Sequence, residues 1–78
     1  MKNIYNKKVI VLEIFSLNNY YHVKLPSGSY EMIYRAARGV YWDEKTASLY
    51  FKGSTSQENA LKIISEAMEC EYGIHLVY

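Results

Sequence analysis

Two short alternating segments joined by a polar turn lie at the centre of this chain. Residues 40–43 and 47–51 alternate apolar and polar side chains, as half-buried strands do, and residues 44–46 have the composition of a turn between them. The alternation predicts a β-hairpin over residues 40–51. Because the hairpin has one apolar face, some other element of the chain must cover that face.

The segment after the hairpin predicts an α-helix over residues 56–71. Residues 54–56 are Ser-Thr-Ser and offer N-caps, while Tyr72 and Gly73 end the pattern with a residue suited to a helix C-terminus. Apolar side chains recur at helical spacing between these ends, at Ala60, Leu61, Ile63, Ile64, Ala67 and Met68. This broad stripe is typical of a helix that packs on a sheet. The apolar residues 74–78 then predict a closing strand.

The first half of the chain predicts a second hairpin. Residues 8–15 are a β-rich, nearly continuous apolar run, which indicates a strand buried on much of both faces. Residues 16–19 have turn composition, and residues 20–25 alternate as a half-buried strand does.

The segment 30–38 favours a short helix. Its apolar residues Tyr30, Ile33, Tyr34 and Ala37 fall on one helical stripe, and Gly39 follows where a C-terminal glycine belongs. A strand in the same place is the alternative, although it would mix polar and apolar side chains on each face.

Together these elements predict one α+β domain over residues 1–78. It has an antiparallel sheet of about five strands, with the long helix and the short one on one face. The order of elements over residues 19–78 is that of a ferredoxin-like split βαβ unit, to which the strand at 8–15 is added. An antiparallel meander with a single helix is the alternative.

Composition favours a binding protein over an enzyme. The net charge of +1 is too small for strong general affinity for nucleic-acid backbones, and no apolar run approaches the length of a membrane helix. The single cysteine, Cys70, cannot form an internal disulfide, so we expect a cytoplasmic protein. No catalytic, metal-binding or phosphate-binding motif is found, and we expect no cofactor.

The nine tyrosines are the main functional clue. If the larger apolar residues of each strand face the helices, the alternation turns another set of side chains to the uncovered face, namely Tyr20, His22, Tyr41, Tyr50 and His75. Tyrosine combines rigid apolar area with a polar tip and is enriched in protein interfaces.

Three interpretations of this face remain open. The rings can simply stabilise a small sheet by cross-strand pairing, they can bind another protein or a second copy of the chain, or they can stack with single-stranded nucleic acid. We favour a small protein-binding domain, such as an inhibitor, an immunity-type protein or an accessory factor of a microbe or mobile element, which acts by steric occlusion or complex assembly. Glu66 and Glu69, near the acidic end of the long helix, are further candidate contacts.

Overall fold

The computed structural model describes residues 7–78. Within this range six strands, a 3₁₀ helix and an α-helix follow in the order β1 (Lys7–Ile10), β2 (Glu13–Leu17), β3 (Tyr20–Lys24), the 3₁₀ helix (Glu31–Arg35), β4 (Val40–Asp43), β5 (Ser48–Phe51), α1 (Gln57–Tyr72) and β6 (Ile74–Val77). The predicted α+β class is confirmed. Within the described range, no helix is long and apolar enough to cross a membrane.

Four strands form an antiparallel sheet in the order β2-β3-β5-β4. The predicted hairpin over residues 40–51 is confirmed, with Trp42 opposite Leu49 across β4 and β5. The first hairpin is confirmed as β2 and β3, in which Ile14 lies opposite Val23. Because Leu49 also pairs with Val23, one apolar residue from each of the four strands lies on the same face, namely Ile14, Val23, Leu49 and Trp42.

The remaining two strands, β1 and β6, pair in parallel, with Val9 opposite Leu76. The Val11 amide donates to the Val77 carbonyl and the next amide, that of Leu12, donates to the Lys24 carbonyl, both at 2.9 Å. Because consecutive amides of an extended chain point to opposite edges, β6 and β3 lie on opposite sides of the segment that joins β1 to β2. The ferredoxin-like arrangement is therefore not confirmed, since β6 lies outside the four-stranded sheet.

The predicted strand at 8–15 is two strands, and its burial on both faces was wrong. Val9, Val11 and Ile14 pack against the core, whereas Ile10 and Leu12 are 69% and 59% exposed. The residues that face the core are odd-numbered up to Val11, but the next one is the even-numbered Ile14. The side-chain alternation therefore shifts by one residue between them. A continuous apolar run hides such a shift, because both phases place an apolar residue on the core side.

The predicted short helix is present as a 3₁₀ helix of five residues, and it is shorter than residues 30–38. A 3₁₀ helix has three residues per turn, so Tyr30 and Ile33 lie on one side and both are buried. Tyr34, which an α-helical stripe would bury, is 51% exposed for the same reason.

The predicted long helix is confirmed as α1. Its N-cap, Ser56, accepts a hydrogen bond from the Asn59 amide, and Gly73 ends the helix in the left-handed conformation with φ 65°. Ile64 and Met68 of α1 are buried in one cluster with Val23 and Leu49 of the sheet. α1 therefore covers one face of the four-stranded sheet, and the opposite face carries Tyr20, His22, Tyr41 and Tyr50.

Candidate functional site

Four aromatic side chains form a continuous row across the uncovered face of the four-stranded sheet. The strand register places Phe15 opposite His22, His22 opposite Tyr50 and Tyr50 opposite Tyr41. The ring centroids of successive members are 5.0, 4.8 and 5.9 Å apart, and the first two pairs are stacked. We call these four residues the aromatic row. Such spacing follows from strand pairing, which brings directly opposed side chains within contact distance.

Tyr20 extends the row towards the turn that joins β2 to β3. Its ring lies 6.1 Å from that of Tyr50, and the two are stacked. We call the aromatic row together with Tyr20 the aromatic surface. Within residues 7–78 no helix packs over it, because α1 lies on the face of Val23 and Leu49. Tyr41, at the β4 edge, is 40% exposed.

His22 is buried even though no helix covers its face. The rings of Phe15 and Tyr50 enclose it from both sides, and its Nδ1 lies 2.8 Å from the Ser48 hydroxyl. Ser48 is also buried, and its hydroxyl lies 2.6 Å from that of Thr46. The His22 ring at the centre of the row is thus held by stacking on its two sides and by a contact with the Ser48 hydroxyl, which in turn contacts that of Thr46.

Burial lowers the pKa of His22 below its usual 6.5, and the nearby carboxylate of Asp43 opposes that shift. Burial by itself would raise the pKa of Asp43, but hydrogen bonds from Thr46 and Lys45, together with His22, outweigh it and hold that pKa below 3.8. At neutral pH the row is therefore uncharged, with an ionised Asp43 beside it.

A shallow cleft of about 210 Å³ lies on this surface, lined by Leu17, Asn18, Tyr20, His22, Asp43, Tyr50 and Lys52. Lys52 and Asp43 place one positive and one negative charge at its rim. Lys24 and Glu13, which are paired across β2 and β3, add one more charge of each sign to the same face. The charges balance, so the surface has no net positive potential to attract phosphate.

The buried hydroxyl on this face is not placed to act as a nucleophile. Ser48 is 0% exposed and its hydroxyl already contacts His22 and Thr46, so it cannot reach a substrate as a nucleophile. In the described part of the chain, no three His, Cys, Asp or Glu side chains converge as a metal site would require.

Tyr20, His22, Tyr41 and Tyr50 share one face, as the alternation predicts. His75 does not join them, because β6 pairs with β1 and lies outside the four-stranded sheet. Its Nδ1 lies 2.9 Å from a carboxylate oxygen of Glu69.

The acidic end of α1 is partly paired within the chain. Glu69 contacts His75, and Glu71 lies 3.7 Å from Arg35, so both carboxylates have a local basic partner. Glu66 is exposed on the helix, and Cys70 is exposed as well. Arg35 thus places a positive charge beside the last turn of α1, where the helix dipole favours one.

Sequence reasoning missed Phe15 and Lys52 as members of this face. The apolar run at 8–15 shows no alternation, so it gave no signal for the direction of Phe15. Lys52 does carry a signal: it continues the alternation of Ser48 and Tyr50 one step past the end of β5.

Comparison of the chain with protein-family models, with curated proteins and with solved structures finds no match.

Proposed function

We propose that this chain is a small non-enzymatic protein-binding domain and that the aromatic surface is where it contacts its partner. The observation that carries the proposal is the continuous row of four rings on the sheet face opposite α1. A domain this small has little apolar material, and rings on a face that no helix covers bury less area than they would beneath α1. Contact with a partner explains that use of aromatic residues.

The arrangement also suits tight contact in physical terms. Tyrosine side chains lose little conformational entropy on binding and are enriched among the residues that dominate binding energy. Stacking of Tyr50 on His22 and Tyr20 holds these rings in position before a partner arrives. Tyr41, the exposed end of the row, is the residue we expect to contribute most to binding.

Binding of single-stranded nucleic acid is less well supported. An open sheet with exposed rings could stack with bases, but such modules combine the rings with basic side chains. Here Lys24 and Lys52 are balanced by Glu13 and Asp43 on the same face. Nucleic-acid binding would weaken steeply as salt rises, whereas binding through rings should depend little on salt.

In this role the chain would be an inhibitor, an immunity-type protein or an accessory factor of a microbe or mobile element. It would act in the cytoplasm by covering a partner's functional surface or by joining a complex. A small domain with one rigid contact face is suited to either role.

Affinity capture with matched variants tests this function. The wild-type chain, Tyr41→Ser and Tyr34→Ser are immobilised and exposed to protein from the cells that make the chain. Tyr34 is the control because it is exposed but lies on the 3₁₀ helix. We expect the same bound protein with wild type and Tyr34→Ser and its loss with Tyr41→Ser. Equal capture by all three would contradict the proposed function.

A further inference from the structure

We infer that the cleft on the aromatic surface holds the side chain of one arginine of the partner protein, with its guanidinium group beside Asp43 and over the rings of Tyr20 and Tyr50. This rests on the proposed function and names the chemical group that the partner inserts. A buried nitrogen, a fixed charge and two rings line the cleft, and together they carry the inference.

The buried imidazole of His22 has one nitrogen without a partner. Its Nδ1 contacts the Ser48 hydroxyl, whereas Nε2 forms no hydrogen bond within residues 7–78. No fully inaccessible side-chain nitrogen or oxygen in that range lacks a partner, so solvent reaches Nε2 even though His22 is only 3% exposed. Because His22 lines the cleft, the cleft is the opening to this atom. A ligand in the cleft can supply the missing hydrogen bond.

A chain of hydrogen bonds decides whether Nε2 accepts or donates. The ionised carboxylate of Asp43 can only accept, so the Thr46 hydroxyl donates to it. The Thr46 oxygen then accepts from the Ser48 hydroxyl, 2.6 Å away, and the Ser48 oxygen accepts from Nδ1–H of His22. The proton of the neutral imidazole is thus on Nδ1, and Nε2 offers a lone pair to the cleft.

The two charges at the rim of the cleft differ in how firmly they are held. The carboxylate of Asp43 accepts from the backbone amide of Lys45 at 3.0 Å and is partly buried. Lys52 lies beyond the end of β5 and is exposed, and its flexible stem can turn the ammonium group into water. The fixed charge is therefore negative. An anion in the cleft would face it while losing water, whereas a cation pairs with it.

Arginine fits these groups better than lysine does. A guanidinium group carries five N–H donors in one plane, so it can donate to a carboxylate and to an imidazole nitrogen. It also stacks on aromatic faces, and the partly buried rings of Tyr20 and Tyr50 lie 6.1 Å apart. The cleft volume of about 210 Å³ is smaller than that of sites for drug-sized molecules, and it suits one side chain.

Titration with N-acetyl-arginine amide, followed by NMR of the isotope-labelled chain, tests the inference. The ends of this probe are uncharged, so the guanidinium group carries its charge alone. We expect the signals of the cleft residues to shift with a dissociation constant of about 1 mM, as a ligand of this size allows. N-acetyl-lysine amide should bind about threefold more weakly, because it lacks the flat group. N-acetyl-glutamate amide should not bind.

Three variants test the role of each charge. Asp43→Asn should weaken binding of the arginine probe about tenfold, because Asn keeps the oxygen that accepts from the Lys45 amide but removes the charge. Glu31→Gln is the matched control: it removes an exposed negative charge from the 3₁₀ helix and should leave the dissociation constant unchanged. Lys52→Gln should not weaken binding, since it removes the like charge at the rim.

The imidazole nitrogens of His22 give an independent readout. Nitrogen NMR of the free chain should find the proton on Nδ1, and the Nε2 signal should shift as the arginine probe is added. A proton on Nε2 would overturn the inference, because that nitrogen would then favour an anion.

The remaining outcomes separate the inference from the proposed function. Weaker binding of the arginine probe to Lys52→Gln, or equal effects of Asp43→Asn and Glu31→Gln, would rule out a cation in this cleft. No probe binding, combined with partner capture that Tyr41→Ser abolishes and Asp43→Asn leaves intact, rejects the arginine and leaves the proposed function standing. Probe binding with equal capture by wild type, Tyr41→Ser and Tyr34→Ser supports a guanidinium site and rejects the proposed function.

Discussion

The Nδ1 atom of His22 lies 2.8 Å from the Ser48 hydroxyl, and both residues are buried on the sheet face opposite α1. Their burial comes from the rings around them, since Phe15 and Tyr50 stack on the two sides of the imidazole. The aromatic row thus forms a small second cluster on that face. This cluster holds the surface rigid, which lowers the entropy that binding must overcome.

Replacing Ser48 with Ala tests the polar support of the row. We expect the free energy of unfolding to fall by about 1–3 kcal/mol, because the buried His22 and the partly buried Thr46 each lose a hydrogen-bond partner. Urea denaturation followed by circular dichroism measures the change. Ser16→Ala, at an exposed strand position, should change stability by less than about 0.5 kcal/mol. Equal effects of the two variants would show that the hydroxyl of Ser48 contributes nothing.

The imidazole of His22 should titrate below 6.5, because burial lowers its pKa. In the unfolded chain the group takes up its proton nearer 6.5, so between the two pKa values the unfolded state holds more protons. Stability should therefore fall as pH drops below about 6.5, and the His22 contribution should level off below the folded-state pKa. NMR titration of the imidazole protons measures the pKa directly, and His22→Gln should remove this part of the pH dependence. A pKa at or above 6.5 would show that the effect of Asp43 on this imidazole outweighs that of burial.

Tyr50 and Tyr41 should differ in their effects on stability. Tyr50 contacts the rings of Tyr20, His22 and Tyr41, so we expect Tyr50→Ser to cost about 1–2 kcal/mol from the lost cross-strand pairs. Tyr41 has one such contact, and Tyr41→Ser should cost less than about 1 kcal/mol. Thermal unfolding of both variants gives the comparison. A larger loss in Tyr41→Ser would mean that Tyr41 supports the fold and is a poor probe of binding.

Gly73 sets the end of α1 and the start of β6. Its φ of 65° lies in the left-handed region, so Gly73→Ala should destabilise the protein by about 1–2 kcal/mol. Gly73→Asn should cost less, because Asn adopts this conformation more readily. Chemical denaturation of the two variants distinguishes them, and equal stability of Gly73→Ala and wild type would contradict the observed helix end.

Local patterns predicted much of this structure, and non-local pairing accounts for what they missed. The hairpin over 40–51 and the limits of α1 follow from alternation, helical spacing and the capping residues Ser56 and Gly73. Alternation likewise placed Tyr41 and Tyr50 on one face. His75 was assigned to that face because alternation shows which way a side chain points within its strand but not which sheet the strand joins.

Phe15 shows a second limit. Its direction depends on the one-residue shift between Val11 and Ile14, which an apolar run does not reveal. The burial of His22 depends in turn on Phe15. Neither the continuous row nor the lowered pKa of His22 could therefore be predicted from the sequence. Residue type and spacing predict local geometry, whereas a site assembled from four strands depends on their register.

Fluorine NMR of the chain labelled with 3-fluorotyrosine tests most directly whether the aromatic surface is the contact surface. Spectra are recorded as the concentration of the chain is raised and as protein from its own cells is added. We expect the signals of Tyr20, Tyr41 and Tyr50 to broaden or shift, while those of Tyr34 and Tyr78, which are exposed elsewhere, stay unchanged. A response confined to Tyr34 and Tyr78, or no response in any signal, would contradict this expectation.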